Sequence, residues 1–275
     1  MITSEKIDQA WKHIGLSYLI SWLIWIPLLL GSLGLIPIPE GVIFPLAIIA
    51  TFGPTFAAFY LIGGDAEEGA KDLLKRAFDF KSIGPKWYLP IFLLIPLGAF
   101  LAHVLNLIFF DVRLPFGGAF DRPWEIPFIL LLSIVLTGPL AEEFGWRGYT
   151  LERLQTKYSA LSANLVLAFF WAFWHFPLFF IAGAPQETLP FWLFFLTIFF
   201  VSIIIGWIQI NTGKSLVPAL ILHGMINTVM EIFPLINTQT GEDWEPWLFA
   251  NIILALFCVI IVAIYGKELK KEVIL

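Results

Sequence analysis

The sequence predicts an all-α integral membrane protein. Eight transmembrane helices enclose an intramembrane polar site, and a short amphipathic helix lies at the membrane surface. Three observations lead there. Asp, Glu, Lys and Arg make up only 13% of the 275 residues, where a soluble domain carries about 25%. The hydrophobic share is 59%, with 28 Phe and 12 Trp, more apolar surface than one water-soluble core of this size can hide. The apolar residues also fall in long unbroken runs, not in the alternating ten-residue segments of a membrane barrel. An ordinary cytosolic domain and a disordered chain are thereby excluded. The net charge is −5, without a sizeable basic cluster, so no nucleic-acid partner is expected. The partner implied is the lipid bilayer itself, around one polytopic domain spanning 1–275.

A bilayer core of ~30 Å needs about 20 apolar residues per helix. Runs free of Asp, Glu, Lys and Arg cover 14–39, 41–64, 87–110, 158–186, 188–213 and 246–266. Two shorter runs, 126–141 and 215–230, are ended by Glu142 and Glu231. The eight spans are therefore placed near 14–36, 41–63, 87–110, 126–147, 160–182, 189–210, 214–235 and 245–266. Turn chemistry separates them at Ile36-Pro-Ile-Pro-Glu40, Gly63-Gly-Asp65, Gly183-Ala-Pro185, Asn211-Thr-Gly213 and Asn237-Thr-Gln-Thr-Gly241. The first run is too long for a cleavable signal and lacks an evident small-residue cleavage site. Residues 66–80 place Ala70, Leu73, Leu74, Ala77 and Phe78 on one helical face, with Lys71, Lys75 and Arg76 available to headgroups. That pattern predicts an interfacial helix.

Orientation follows from charge. With eight spans both termini share a face, and that face collects 14 of the 16 Lys and Arg, leaving Arg113 and Arg122 opposite. Both termini are expected in the cytoplasm. The lone Cys258, in an apolar run, permits no intramolecular disulfide and reads as a small hydrophobe.

Charges inside a span are costly and mark function. The fourth span carries Glu142, Glu143 and Arg147 at its cytoplasmic end. Glu143 and Arg147 stand at i, i+4 with the acid first, the favoured order for an ion pair. Adjacent helical residues diverge by about 100°, so Glu142 must point elsewhere. Pro139 removes a backbone donor and is expected to bend the helix just before the pair. Arg147, near the interface, is expected to reach headgroups or water. The fifth span carries His175. In an antiparallel hairpin turning at Tyr158–Ser159, residues summing to 317 lie level, and Glu142 and His175 are such a pair. The seventh span supplies His223 and Asn227 at i, i+4, on one face. His103 and Asn106 in the third span read as interhelical hydrogen-bonding residues, and His13 as an interfacial residue of little consequence.

A carboxylate, two imidazoles and a carboxamide inside the membrane form a hydrolytic set. The carboxylate can take a proton from water, and His or Asn can donate to an oxyanion. Apolar surroundings strengthen each of those interactions. No nucleophile-elbow serine is present and Cys258 is remote in sequence, so direct attack by activated water is favoured.

Glu142-Glu143-x-x-x-Arg147, the aromatic-x-x-x-His of Trp171–His175, and His223-x-x-x-Asn227 resemble, in order, the three motifs of the CPBP (Abi) family. That family comprises CAAX prenyl endopeptidases and bacteriocin-processing or self-immunity relatives. The resemblance covers the helices from about 126 to 235 and fits the eight-helix count. Trp171 stands where the motif is usually written Phe. The resemblance implies that Glu142 and His175 activate water and that His223 and Asn227 hold the oxyanion. It also implies endoproteolysis near the C-terminus of a membrane-associated, CAAX-like protein or peptide at the cytoplasmic side. Glu143 and Arg147 would be a supporting ion pair. No cofactor is favoured, although Glu142, His175 and His223 also have the composition of a zinc site, the alternative. Two other readings stand beside protease: a catalytically silent immunity or scaffold protein of the same fold, and an ion- or proton-coupled transporter. The absence of an evident internal repeat weighs against the transporter.

Overall fold

In the computed structural model, residues 2–63, 69–110 and 116–270 are described. The predicted turn at Gly64–Asp65, positions 66–68 of the predicted interfacial helix, Arg113 and Lys271 lie outside them. Every regular element among the described residues is helical. The α-helices are α1 (Ile2–Ser32), α2 (Glu40–Thr51), α3 (Gly53–Ile62), α4 (Ala70–Arg76), α5 (Pro85–Phe109) and α6 (Gly118–Asp121). They continue with α7 (Ile126–Leu136), α8 (Pro139–Gly145), α9 (Leu151–Leu154), α10 (Ala160–Trp174), α11 (Phe191–Asn211), α12 (Val217–Val229) and α13 (Glu245–Tyr265). The chain is an integral, multi-pass membrane protein.

Six spans are long and apolar enough to cross a bilayer among the described residues, and seven if the bent pair Pro123–Leu136 and Pro139–Leu154 counts as one. The predicted seventh, 214–235, is helical only over the 13 residues of α12, about 20 Å at 1.5 Å per residue. The count of eight is therefore not reached by length. The reason is at the C-terminal end of α12. There the backbone of Glu231 and Ile232 accepts from Ala119 and Gly117, so the segment around α6 caps the helix inside the protein.

The fourth span is broken rather than gently bent. Gly138 sits at φ +117° and ψ −44° between α7 and α8, and the two pieces meet at 52°. Pro139 does not kink a continuous helix here; it starts a new one, where its missing N–H costs nothing. Beyond α8 the helix widens into a π turn over Trp146–Thr150, a rare element that clusters at functional sites. The fifth span ends its α-helical part at Trp174 and tightens into a 3₁₀ turn over Phe176–Phe180. Pro177 explains this, because it has no N–H for the next helical bond and disfavours helix in the residue before it. His175 is left at the helix end.

Small residues let the layers approach. A Cβ on Gly145 would overlap the Pro54 backbone, and one on Gly53 would overlap Ser21 Oγ, so α3 lies against both α1 and α8. The surface helix is shorter than predicted. Leu73 and Ala77 are buried as expected, but Leu74 and Phe78 are exposed. Arg76 does not face headgroups either: it turns inward to Glu152 at 2.6 Å and to the Lys214 carbonyl. Cys258 is buried, its thiol 3.4 Å from the Phe200 carbonyl.

Candidate active site

Three elements converge at the break in the fourth span: α8 with the π turn behind it, the end of α10, and α12. Each brings a polar side chain that is buried in the protein.

Glu142 is 3% exposed. Its Oε2 accepts the indole N–H of Trp171 at 2.5 Å and lies 3.9 Å from His175 Nε2. Its Oε1 abuts Gly138, where an added Cβ would come within 2.5 Å of it. Position 138 therefore requires glycine twice, for its positive φ and for this space. His175 Nδ1 is 2.8 Å from the Trp171 carbonyl. A carbonyl only accepts, so Nδ1 carries a hydrogen, and in its neutral form the ring presents a lone pair at Nε2 towards Glu142. The pair predicted level across the hairpin thus stands face to face.

Glu143 does form the ion pair with Arg147, at 2.9 Å, but both side chains are fully buried. Arg147 is not interfacial, as the sequence suggested. The π turn directs it inward, where its Cζ lies 3.8 Å from the centroid of the Trp171 ring, a cation–π contact in a desolvated setting. Glu143 also accepts from His223 Nδ1 through the same Oε1, at 2.7 Å. It is therefore more than a supporting charge. It fixes which His223 nitrogen bears hydrogen and holds the ring by a carboxylate–histidine bond. Nothing in the spacing of Glu143 and His223 announces this contact, which joins residues 80 positions apart.

Asn227 shares the face of α12 with His223 but reaches a different partner. Its Nδ2 donates to the Thr137 carbonyl at 2.9 Å and lies 3.2 Å from the Thr137 hydroxyl. The helix break makes that carbonyl available. Thr137 Oγ1 in turn lies 3.0 Å from Ser133 Oγ, which donates to the Gly224 carbonyl. Thr137 and Gly138 are site residues that the sequence reading passed over, although the Gly-Pro pair was visible. Trp171 was noted as an aromatic, yet its N–H was not weighed.

The remaining histidines lie elsewhere. His103 rings against Phe116 and Phe233, and Asn106 is buried one turn away in α5. His13 is fully buried within the protein. Its Nε2 donates to the Pro54 carbonyl at 2.8 Å and its Nδ1 meets Thr150 Oγ1 at 2.6 Å. Among the described residues no three His, Cys, Asp or Glu side chains are grouped to hold a metal ion. Glu142, His175 and His223 are not so grouped, although both rings anchor Nδ1 and keep Nε2 free, the nitrogen a metal-ligating histidine uses.

Two comparisons with known proteins bear on this geometry. A family model described as type II CAAX prenyl endopeptidase, Rce1-like, matches residues 123–229, the stretch containing all the motif residues. The CAAX prenyl protease 2 of Methanococcus maripaludis is 32% identical over 198 residues, which cover 67% of this chain and 70% of that protein.

Proposed function

As this chain belongs to the family of CAAX prenyl endopeptidases, and so to the intramembrane proteases, we propose that it hydrolyses a peptide bond near the C-terminus of a membrane-associated, CAAX-like protein. The chemistry would be done by a water activated between Glu142 and His175. One observation supports this above the others. Two acceptors, Glu142 Oε2 and the lone pair of His175 Nε2, stand 3.9 Å apart. That gap is too long for a hydrogen bond between them and suited to a water ~2.8 Å from each, donating to both.

The water oxygen attacks the scissile carbonyl carbon as its proton passes to Glu142. The tetrahedral oxyanion is held by His223 and Asn227. His223 must then be protonated, because its Nδ1–H already points at Glu143 and only the imidazolium has a second N–H to offer. Asn227 keeps its shorter bond to the Thr137 carbonyl and exchanges its longer contact with the Thr137 hydroxyl for the substrate oxygen. Collapse breaks the C–N bond, and the proton on Glu142 goes to the departing amine. The products are a new C-terminal carboxylate, whose acid proton passes to the freed amine, and a released peptide. No step uses a metal.

The test is mass spectrometry of C-terminal fragments from membranes holding wild-type or Glu142→Gln protein. The amide keeps the shape and still accepts from Trp171, but cannot take the proton. A loss of ~10²–10⁴ or more in rate is expected; a Glu142→Gln protein that cleaves at wild-type rate ends the proposal. The distribution of Lys and Arg supports the reading that both termini, and the mouth of the site, lie on the cytoplasmic side. A reporter fused after the last residue should fluoresce as a cytoplasmic one does, and protection of that reporter in the outer compartment rejects the orientation.

A further inference from the structure

We propose that Trp171 is a positioning residue for the general base, acting through its indole N–H, a task for which the Phe of the usual motif has no group. This rests on the assignment of Glu142 as the base. Trp171 is 1% exposed and meets every charged or titratable side chain of the centre except Glu143. Its Nε1 donates to Glu142 Oε2 at 2.5 Å, and its ring face lies 3.8 Å from Arg147 Cζ. Its ring stands edge-on to His223 at 5.2 Å, and its carbonyl holds His175 Nδ1 at 2.8 Å.

The indole N–H is a donor only, so the direction of the bond to Glu142 is unambiguous. It occupies one lone pair of Oε2 and leaves the other to face His175. The same residue therefore orients both acceptors of the attacking water, one by side chain and one by main chain. Without the N–H, Glu142 Oε2 keeps no hydrogen-bond partner among the described residues; the carboxylate is then free to rotate away from His175 on its long side chain. The main-chain half of the arrangement survives any substitution, so a side-chain change isolates the N–H.

The experiment compares Trp171→Phe with site-specific replacement of Trp171 by benzothienylalanine, which exchanges N–H for sulfur and keeps the ring over Arg147. The same replacement at Trp207, whose buried Nε1 has no partner, is the control. A hydrogen bond to a charged group corresponds to about a 10- to 100-fold effect. For both Trp171 variants kcat should fall by about that factor, with KM within about threefold; the benzothienylalanine protein, which keeps the ring's volume, should melt as wild type does. The Trp207 replacement should leave kcat as it is. Undiminished kcat in the benzothienylalanine protein, while Glu142→Gln is inactive, overturns the role of Trp171 and leaves the base assignment standing. Activity in Glu142→Gln overturns the base assignment itself. A fall in kcat that arrives only with a lowered melting temperature, or chiefly as a raised KM, marks Trp171 as packing and overturns the proposal.

Discussion

Two histidine clusters flank the same stretch of chain, and only one carries the proposed chemistry. At Thr150, on the far end of the π turn, His13 is met by a hydroxyl and the carbonyl of Pro54, both neutral. At α8, His175 faces Glu142 and His223 is bonded to Glu143. All three rings are buried, so burial does not distinguish them. Partners do. His13 has both nitrogens satisfied by groups that cannot exchange a proton at neutral pH, which makes it a bridge between α1, α3 and the π turn. His175 and His223 each spend Nδ1 on the protein and keep Nε2 for something else. A buried histidine becomes a candidate for catalysis when one nitrogen is anchored and the other is aimed at a carboxylate or a substrate.

The largest effects that sharpen this contrast concern the two adjacent glutamates. Glu142→Gln should abolish cleavage and leave folding intact, because its neighbours Trp171 and His175 keep their places. Glu143→Gln should do something different. It removes the charge that faces Arg147 and His223 together, inside a region with no access to headgroups. Breaking a buried pair by removing one partner costs about 3–5 kcal/mol, and turnover per folded molecule should fall as well because His223 loses its anionic anchor. Arg147→Gln should match it in stability, since it strands Glu143. The sequence alone suggested a milder, partly solvent-relieved loss, and full burial of Arg147 removes that relief. Purified variants compared by melting and by turnover decide it; a Glu143→Gln protein as stable as wild type would mean that Arg147 has other support.

Much of this was legible beforehand, for identifiable reasons. Hydrophobic run length located the helices because the bilayer imposes one length on all of them. Helical periodicity paired Glu143 with Arg147, and hairpin register brought Glu142 level with His175. What escaped notice was whatever depends on irregular backbone. The positive φ of Gly138 breaks the span and frees the Thr137 carbonyl for Asn227. The π turn rotates Arg147 and Thr150 inward, which run length cannot express. Long-range contacts such as His223 with Glu143, or His13 with Pro54, leave no local trace in composition. The short α12 was overestimated for a related reason: its run is apolar to the end, but the chain around α6 folds over it.

The smaller effects test the other side of the comparison, as a graded series in the His13 cluster. His13→Ala leaves a cavity and strands the Thr150 hydroxyl, while the Pro54 carbonyl keeps its backbone partner within α3, for a loss of about 3 kcal/mol. Turnover per folded molecule should nevertheless stay near wild type, and a stable but inactive His13→Ala protein would break the contrast between the clusters. Thr150→Val keeps the volume and removes one donor. Because Nε2 must donate to the Pro54 carbonyl, Nδ1 is the acceptor, and Thr150 Oγ1 at 2.6 Å is its donor. Stranding that nitrogen costs about 1–3 kcal/mol. Ser17 also approaches Nδ1, but at 3.5 Å, while its hydroxyl donates to the His13 carbonyl one turn back at 2.8 Å. An imidazole nitrogen has a single lone pair, already taken by Thr150, and the His13 carbonyl lies within α1, where it has a backbone partner. Ser17→Ala therefore removes nothing that lacks a substitute, and its effect should stay within about 0.5 kcal/mol. Thermal melts of the three variants should fall in that order. If Ser17→Ala destabilises as much as Thr150→Val, Ser17 shares in donating to His13 Nδ1, and the bridge between α1, α3 and the π turn depends on α1's own hydroxyl as much as on Thr150.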